Sequence, residues 1–523
     1  MRFTRFAGLQ PTLSPRHGGV ATAKIAQNAR LDNGQLRAMR KPRLIGECAG
    51  GKYSFVAGEF RCIPRNAIVT PSCTADELIL LEEKKLVRSS DRRPLCLPAP
   101  EPPIVTNPSS KPGSVTTAFC IAESRADGAS GIVSIPTDPV QIDPTKPVRL
   151  LTNVSPVNVW ALLPTSLDGN RDNPQDKAAE WVFVGHFTSN NITFEWRPEY
   201  WGIATDDDID EGRCCPTDIT AATYTDAGYL VAASGRYVFI SDRNRPDVFP
   251  LKNVLLADAP IRHLHTFYDI VIALTDGAHA IIQINSAQAG QADNNITISR
   301  APIPLQGALG IAPAPFGLFY QSRDGVVAVT GRANDWAVVT SSVIHPEDYD
   351  VYKFKTGAWY RGRLFTDSWV MEVQDPHFAA KQTTAFATHD FGGDYYQATE
   401  DGRLLLWKDS AVYEWGTGGY ARTRYKSNTI VAQGVRVYTA GKVVGSNLSG
   451  VKLNIYNADN NAVLFSKTLQ DADNNRPFNM PPVRGQHFEV EWILPESGKE
   501  ISISETHIAG NKFELARPEG VNQ

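Results

Sequence analysis

A strand–turn–strand unit recurs five times between residues 230 and 408. Each copy has an apolar run, a turn with glycine and a second apolar run, and the turn glycines are Gly235, Gly277, Gly325, Gly362 and Gly402. Their spacings are 42, 48, 37 and 40 residues. A period near 40 residues with two visible strands is the spacing of four-stranded blades around an axis, as in a β-propeller. The repeat therefore predicts a mainly β chain with a propeller.

A sixth copy lies far upstream, at residues 77–90, where ELILLEEKKLVRSS has the same pattern without glycine. Six blades are therefore predicted. Between this copy and Gly235, eleven prolines fall between Pro94 and Pro147, a composition that breaks sheets and marks a domain edge. Well-formed strand candidates follow within residues 101–210, which predicts a small β-sandwich inserted in the propeller; the candidates are VTTAFCIAES, VNVWALLP, WVFVGHF and ITFEW.

The 40-residue rhythm ends after Arg424, and runs that alternate apolar and polar residues begin: VRVYT, VKLNIYN, AVLFSKTL, HFEVEWIL and ISISETHI. Alternation of this kind indicates half-buried antiparallel strands and a C-terminal β-sandwich. The chain is too long for one hydrophobic core. The predicted domains are a basic N-terminal docking segment (1–42), a first propeller blade (43–100), the inserted β-sandwich (101–210), the remaining blades (211–426) and the C-terminal β-sandwich (427–523).

Helical periodicity is scarce, and the clearest predicted helix is the run ATAKIAQNA at residues 21–29. The N-terminus lacks the apolar stretch of a secretory signal, so we expect a cytosolic protein. No apolar run is long enough for a membrane helix. An odd set of cysteines without a C-x-x-C pair favours buried free thiols in that compartment; they are Cys48, Cys62, Cys73, Cys96, Cys120, Cys214 and Cys215.

Charge is unevenly distributed. The first 43 residues contain nine Lys or Arg and one acid, Asp32. Such a segment docks on an acidic partner ring, touches phosphates, or is a solvated surface. The candidate docking residues are Arg2, Arg5, Arg16, Lys24 and Arg30.

An acidic run at residues 206–211 resembles a calcium loop in its alternating carboxylates, but the match fails in detail. Glu211 stands at the sixth position, where that loop needs glycine, and Thr217 stands at the twelfth, where it needs glutamate. The run is therefore interpreted as a solvated loop or as a negatively charged channel or interface loop. The candidate channel or gate residues are Asp206, Asp207, Asp208, Asp210 and Glu211.

The sequence carries no G-x-S-x-G elbow, H-E-x-x-H zinc motif or phosphate-binding glycine loop. His263 and His265 would point to the same face of a strand, which is compatible with a metal but more typical of a polar strand face. We therefore predict no catalytic residues, no cofactor and no bound metal. The competing hypothesis is a glycan-binding or glycan-cleaving propeller, which would need a concave site with aromatics and carboxylates.

Several segments, in the right order, resemble one protein family, the tail nozzle proteins or tail tubular protein B family of short-tailed bacteriophages. The segments are AKIAQNARLDNGQLRAMRKPRL, TTAFCIAESRADGASGIVS, GYLVAASGRYVFISDRNRPDVFP, IRHLHTFYDIVIALTDGAHAII, FGLFYQSRDGVVAVTGR and ARTRYKSNTIV. The last departs from the family pattern, because residues 425–428 (YKSN) stand where the family has Trp, Arg and Lys around a serine.

The resemblance implies a fibronectin-like fold for the inserted domain and a structural virion protein that is not an enzyme. It implies a hexameric ring of the chain in the phage tail, assembled in the host cytoplasm and attached below the portal and the head-to-tail adaptor. The ring would act as conduit and gate for the phage DNA, would carry tail fibres or spikes, and would not insert into a membrane. Acidic lumen loops would repel the DNA phosphates so that the DNA slides.

Overall fold

The structure is a computed structural model. It describes residues 1–4, 6–7, 9, 22–48, 51–56, 59–68, 78–89, 92, 94–97, 99–124, 131–134, 137–163, 180–203, 213–267, 270–285, 295–301, 310–322, 325–332, 335–344, 353–372, 386–399 and 401–516. The prediction of a mainly β chain is confirmed: within these residues the α-helix is Lys512–Ala516, with short 3₁₀ turns at Asp32–Gly34, Pro198–Tyr200, Leu251–Asn253 and Asp471–Asp473.

The chain divides into two compact units. The first unit is Met1–Arg65 together with His265–Gln523, and the second is Asn66–Leu264. The sequence placed its domain boundaries elsewhere, after residues 42, 100, 210 and 426. The N-terminal residues belong to the same unit as the C-terminal ones because their strands pair with each other, as described below.

The second unit contains two antiparallel meanders. Meander A is the three strands Ala67–Ile68, Ile79–Glu82 and Lys85–Arg88; meander B is the four strands Ala221–Tyr224, Leu230–Ser234, Tyr237–Ile240 and Val254–Leu256. Ile79 and Leu86 of meander A pack in one core with Leu230 and Ala232 of meander B. A two-stranded sheet, Arg213–Cys214 with Phe249–Pro250, adds Phe249 to this core.

An inserted β-sandwich occupies the middle of the second unit. One face is the sheet Phe119–Glu123, Val157–Leu163, Glu180–Phe187 and Gly202–Ile203; the other is formed by Ile104–Val105, Val148–Leu151 and Asn191–Phe194, with the pair Val115–Thr117 and Val140–Ile142. Alternate residues such as Phe119, Ile121, Val157 and Val159 point into a common core, as expected of two packed sheets. The four strand candidates of the sequence are all strands here.

Four further meanders follow, all four-stranded and antiparallel. Meander C is Ile261–Phe267, Ile270–Thr275, His279–Asn285 and Asn295–Ala301; meander D is Ile311–Ala314, Gly317–Ser322, Gly325–Arg332 and Asp335–Ile344; meander E is Gly357–Tyr360, Arg363–Thr366, Trp369–Glu372 and Phe386–Thr388; meander F is Tyr395–Ala398, Leu404–Lys408, Ala411–Glu414 and Arg43–Glu47. The last strand of meander F therefore comes from near the N-terminus.

Successive meanders within the first unit pack face to face. In meander D, Leu318 and Tyr320 lie in a core with meander C, whereas Phe319 and Ala328 lie in a core with meander E. Because neighbouring residues of a strand point to opposite faces, a strand buried on both faces must be apolar without interruption. This explains the continuous runs that made the repeat visible in the sequence.

The C-terminal β-domain is built around two strands of seventeen residues, Ile430–Ser446 and Phe478–Leu494. It also contains Thr423–Ser427, Lys452–Asn457, Val463–Thr468 and Ser502–Ala509, and the N-terminal strands Arg2–Phe3, Ala23–Gln27, Ala29–Arg30 and Leu36–Ala38. Strand Ala23–Gln27 pairs antiparallel with Thr423–Ser427 and, through Gln27, with meander E. The hairpin Gly51–Val56 and Glu59–Pro64 completes the first unit.

The helix predicted for residues 21–29 is wrong, because Ala23–Gln27 is a strand. Its residues favour a helix in isolation, but helix propensity is worth only tenths of a kcal/mol per residue. Pairing with Thr423–Ser427 and complete burial of Ala26 outweigh it.

The expectation of free thiols is wrong for two of the cysteines. Cys48 and Cys62 form a disulfide, with Cα atoms 5.9 Å apart, a separation that a disulfide spans readily. Cys48 directly follows strand Arg43–Glu47, and its carbonyl accepts a hydrogen bond of 3.2 Å from the backbone N–H of Gly51. Strand Gly51–Val56 pairs with Glu59–Pro64, the strand that holds Cys62. Cys96, Cys120 and Cys215 form no disulfide within the described residues, and burial raises the pKa of the Cys120 thiol to about 12.

Candidate functional site

The basic N-terminal segment, where it is described, is built into the C-terminal β-domain. The amino group of Met1 donates a hydrogen bond of 2.7 Å to the carbonyl of Ile508, and Arg2 pairs in register with His507. Phe3 and Phe6 are buried and meet the ring of Trp492 edge-on, with centroids 5.0 and 5.2 Å away. This part of the segment is a structural element of the domain rather than a separate arm.

Lys24 contacts a buried carboxylate. Its Nζ donates a hydrogen bond of 3.0 Å to Oε1 of Glu489, whose side chain is only 1% exposed. Lys426 forms a second ion pair with Glu489, and the Thr429 hydroxyl donates to it at 3.2 Å. Burial by itself would raise the pKa of Glu489, but the hydrogen bonds and charges of Lys426 and Lys24 outweigh it and leave that pKa below its usual value.

Glu491, two residues further along the same strand, is the centre of a second polar cluster. Its carboxylate accepts hydrogen bonds from Arg424 Nε at 2.6 Å, the Tyr456 hydroxyl at 2.6 Å and Asn454 Nδ2 at 2.9 Å. Burial opposes ionisation, yet these donors and the Arg424 charge together lower the pKa of Glu491. The side chain is 1% exposed.

These contacts connect the two polar clusters. Lys426 Nζ lies 4.3 Å from the centroid of the Tyr456 ring, while the Tyr456 hydroxyl binds Glu491. Because Glu489 and Glu491 are two residues apart on one strand, both point to the same face of the sheet. We call this set the carboxylate layer: Lys24, Arg424, Lys426, Asn454, Tyr456, Glu489 and Glu491.

An open cleft of about 720 Å³ borders the carboxylate layer, and its lining includes Arg424, Glu491, Lys41 and Glu496. Two ion pairs lie in its lining, Arg424 with Glu491 and Lys41 with Glu496 at 2.5 Å. Asp390, Arg422 and Lys452 line the cleft as well. The cleft is thus a polar surface groove that contains two ion pairs.

Arg30 is also engaged within the chain. Its Nη2 donates a hydrogen bond of 2.9 Å to Oε1 of Glu500, which also accepts one of 3.4 Å from Nη1 of Arg37. Of the five predicted docking residues, Lys24 and Arg30 therefore form internal ion pairs and Arg2 belongs to a strand of the C-terminal β-domain. Arg5 and Arg16 lie outside the described residues.

The predicted channel or gate loop lies wholly outside the described residues, since residues 204–212 are not among them. The structure consequently gives no position for Asp206, Asp207, Asp208, Asp210 or Glu211.

The described histidines include two buried, neutral ones. His279 accepts a hydrogen bond of 3.1 Å from the Thr275 backbone, and burial lowers its pKa to about 4. His389 is hydrogen-bonded to the Thr366 carbonyl at 2.9 Å, and burial likewise lowers its pKa to about 4. Within the described residues no group of His, Cys, Asp and Glu has the arrangement of a metal site, and no helix has the length and apolar character needed to cross a membrane.

The alternation in HFEVEWIL predicts a strand with polar residues on an open face, yet Glu489 and Glu491 are buried. The carboxylate layer was therefore not predicted from the sequence. The available signal was the matching alternation in ARTRYKS, where Arg424 and Lys426 also stand two residues apart. Opposite charges at matched spacing on two apolar strands indicate cross-strand pairs.

Comparison with known proteins identifies no family. No family model matches the chain, and no curated protein matches it. The structure is similar in part to Hsv2 of Kluyveromyces lactis (TM-score 0.24, 9% identity, 48% of this chain and 64% of that chain). It is also similar in part to the Pan2 WD40 domain of Neurospora crassa (TM-score 0.25, 10% identity, 60% of this chain and 89% of that chain). Likenesses with TM-scores below 0.5 do not establish a shared fold, so the fold given above is based on strand pairing alone.

Proposed function

We propose that the chain is a structural subunit of the tail nozzle of a short-tailed phage. Six copies form a ring below the portal and adaptor, and the ring is the conduit and gate for DNA ejection. In this proposal meanders A to F are the blades of a six-bladed β-propeller, the inserted sandwich is fibronectin-like, and the chain is not an enzyme. The ring carries tail fibres or spikes on its outside and resides in the virion.

The propeller part of the proposal is supported by the composition of meander F. Its first three strands follow meander E directly, but its fourth is Arg43–Glu47, which pairs with Ala411–Glu414. Completing the last blade with a strand from the beginning of the chain is how a propeller joins its ends. It also covers a strand edge that would otherwise invite pairing with another chain.

The nozzle part of the proposal is carried by one observation: two segments that resemble the nozzle family, far apart in sequence, are paired strands. AKIAQ, at the start of the first segment, pairs with TRYKS of the last, with Gln27 opposite Arg424 and Ala26 opposite Tyr425. Residues at positions of resemblance therefore make one structural junction. This is what a resemblance based on a common architecture would produce.

The departure from the family pattern at residues 425–428 has a structural role at this junction. Tyr425 is buried, and its hydroxyl donates a hydrogen bond of 2.8 Å to the carbonyl of Ala7. Asn428 Nδ2 donates one of 2.6 Å to the Thr22 hydroxyl. The residues at these positions thus attach the N-terminal segment to the C-terminal β-domain. A rigid domain suits the closed, head-to-tail contacts of a ring.

Electron microscopy of the purified chain mixed with phage portal–adaptor complexes tests the proposal. We expect a hollow ring of six copies below the adaptor. A chain that stays monomeric, does not bind the complex, and instead binds or cleaves glycans of the host surface would overturn the proposal in favour of a glycan-active propeller. A matched pair of variants sharpens the test: Arg5→Glu should weaken attachment if the segment docks, whereas Arg236→Glu, an equal charge change in meander B, should not.

A further inference from the structure

A second cleft in the first unit, of about 250 Å³, is rich in arginine. Four arginines line it: Arg30 from the N-terminal strands, Arg40 just after them, Arg361 from the first turn of meander E, and Arg363 from the strand that follows this turn. Its described lining contains no aspartate or glutamate. We call it the arginine cleft.

Within the part of the chain that the structure describes, two of the arginines of the cleft contact neutral groups rather than acids. Glu500, beside the cleft, is the partner of Arg30 and is shared with Arg37. Arg40 and Arg361 instead bond backbone carbonyls, Arg40 to Gly416 at 3.2 Å and Arg361 to Gly402 at 3.4 Å. A backbone carbonyl carries no net charge, so these two cations are not neutralised by these contacts.

Ring stacking is the other role these arginines could have. The guanidinium of Arg40 lies 5.1 Å from the centroid of Tyr420, and that of Arg361 lies 5.0 Å from Tyr360. Such contacts contribute about 0.5–1 kcal/mol at exposed sites. A guanidinium that stacks on a ring uses its face, and its edge, which carries the N–H donors, stays available. Stacking therefore orients the two groups without using most of their hydrogen-bonding capacity.

The remaining lining of the arginine cleft is mostly apolar and aromatic, and we call this part its apolar wall. Phe365 and Val370 are buried, and Trp415 is half-buried and meets Phe365 edge-on with centroids 5.2 Å apart. A free inorganic anion would leave this wall without a contact. A ligand that contacts both the arginines and the apolar wall has an anionic end and a flat or apolar body.

We propose that the arginine cleft binds a nucleotide, with its phosphate on Arg40 and Arg361 and its base against the wall that includes Phe365 and Trp415. A terminal phosphate carries close to two negative charges at neutral pH, which matches the two cations of Arg40 and Arg361, whose contacts within the described residues are to neutral groups. Arginine is the preferred side chain for phosphate, and aromatic rings are the common platform for bases. This inference does not depend on the nozzle proposal, since it concerns a single chain.

Isothermal titration calorimetry of the full chain with thymidine monophosphate tests this inference. We expect one saturable site per chain, and binding of thymidine should be at least about tenfold weaker because the charged hydrogen bonds are lost. Arg40→Ala and Arg361→Ala should each weaken monophosphate binding about tenfold or more. Arg236→Ala is the matched control, because Arg236 is also exposed and bonds a single carbonyl, that of Ala257, at 2.9 Å; it should change the affinity less than about twofold.

Oligothymidylate distinguishes the two sources of this ligand. Tighter binding of the oligomer than of the monophosphate indicates a single nucleic-acid strand, and equal binding indicates a free nucleotide. The inference is overturned if the monophosphate shows no saturable binding, if Arg236→Ala weakens it as much as Arg361→Ala, or if an acidic peptide binds while the monophosphate does not. Circular dichroism of each variant verifies that it is folded.

Discussion

The Nε of Arg424 donates a hydrogen bond of 2.6 Å to Oε1 of Glu491, 67 residues later in the chain. Tyr456 and Asn454 occupy the second oxygen of the same carboxylate. The three donors come from strands on both sides of Phe478–Leu494, since Thr423–Ser427 and Lys452–Asn457 each pair with it. One buried charge therefore couples the strand next to the N-terminal segment with the far side of the C-terminal β-domain.

Glu491→Gln should destabilise the C-terminal β-domain by about 2 kcal/mol, because it removes the charge from a buried acceptor of three hydrogen bonds. The measurement is the change in urea unfolding midpoint, followed by hydrogen exchange of peptides from residues 478–494. Glu496→Gln is the control, since Glu496 is 66% exposed and pairs with Lys41 at the surface. Equal effects of the two variants would mean that the buried hydrogen bonds of Glu491 do not stabilise the C-terminal β-domain.

The carboxylate layer should also make the domain sensitive to acid. The pKa values of Glu489 and Glu491 are lowered in the folded chain. Their contribution to the free energy of unfolding is therefore complete above the pKa of glutamate in the unfolded chain, about 4.3, and it is lost as the pH falls through the pKa values of the folded chain. Below about pH 4.5, we expect the urea unfolding midpoint of the unmodified chain to decrease with falling pH more steeply than that of a Glu489→Gln, Glu491→Gln double variant. Parallel pH profiles for the two proteins would contradict this.

Phe6→Ala should cost about 3 to 5 kcal/mol, the usual effect of removing a buried aromatic side chain. Phe6 is 2% exposed and meets Tyr425 edge-on at 5.3 Å and Trp492 at 5.2 Å. The loss should appear as faster hydrogen exchange in residues 423–427 and 488–494. Thr4→Ala, at an exposed position two residues earlier, should leave exchange unchanged; if both variants behave alike, the segment is not a stabilising element.

The disulfide between Cys48 and Cys62 should stabilise the start of the chain. It closes a loop with a sequence separation of 14 residues, and loss of a cross-link of this size removes about 3 kcal/mol. Non-reducing peptide mapping of the purified chain should recover the linked peptides, and Cys48→Ser with Cys62→Ser should lower the thermal midpoint. Cys215→Ser is the control. Recovery of both thiols unmodified under oxidising conditions would refute the bond.

The sequence allowed the hairpins of the meanders to be predicted because their signal is local. A run such as IVIAL is apolar at each position since strand Ile270–Thr275 is buried on both faces, and the turn follows within two or three residues. The glycines at residues 362 and 402 join the first and second strands of their meanders, whereas Gly235 and Gly277 join the second and third. The repeat therefore indicated the strands but not their place in each sheet.

The remaining features depend on contacts between distant residues, which a single sequence does not display. Ala23–Gln27 is a strand because Thr423–Ser427 lies beside it, and Cys48 meets Cys62 because a hairpin folds back. Lys24 and Arg30 were predicted to contact a partner, yet each has an acid of its own domain within 3.0 Å. A count of charges along the chain does not reveal which of them are paired after folding.

Two glycines of meander B, Gly228 and Gly235, both have a positive φ, but only Gly228 also has a neighbouring side chain close to the position of a Cβ atom. At Gly235, with φ +56°, an added Cβ would meet nothing within 4 Å, so Gly235→Ala should cost only the backbone strain, about 1 kcal/mol. At Gly228, with φ +98°, the Cβ would lie 2.3 Å from Oδ1 of Asn244, whose backbone N–H bonds the Gly228 carbonyl at 2.7 Å. Gly228→Ala should therefore cost about 2 to 3 kcal/mol, because φ +98° strains alanine more than φ +56° does and because the Asn244 side chain must also move. Hydrogen exchange of peptides from residues 228–245 measures the destabilisation that each variant causes. A larger effect of Gly235→Ala would show that the repeated turn, rather than the contact of Gly228 with Asn244, limits the stability of this meander.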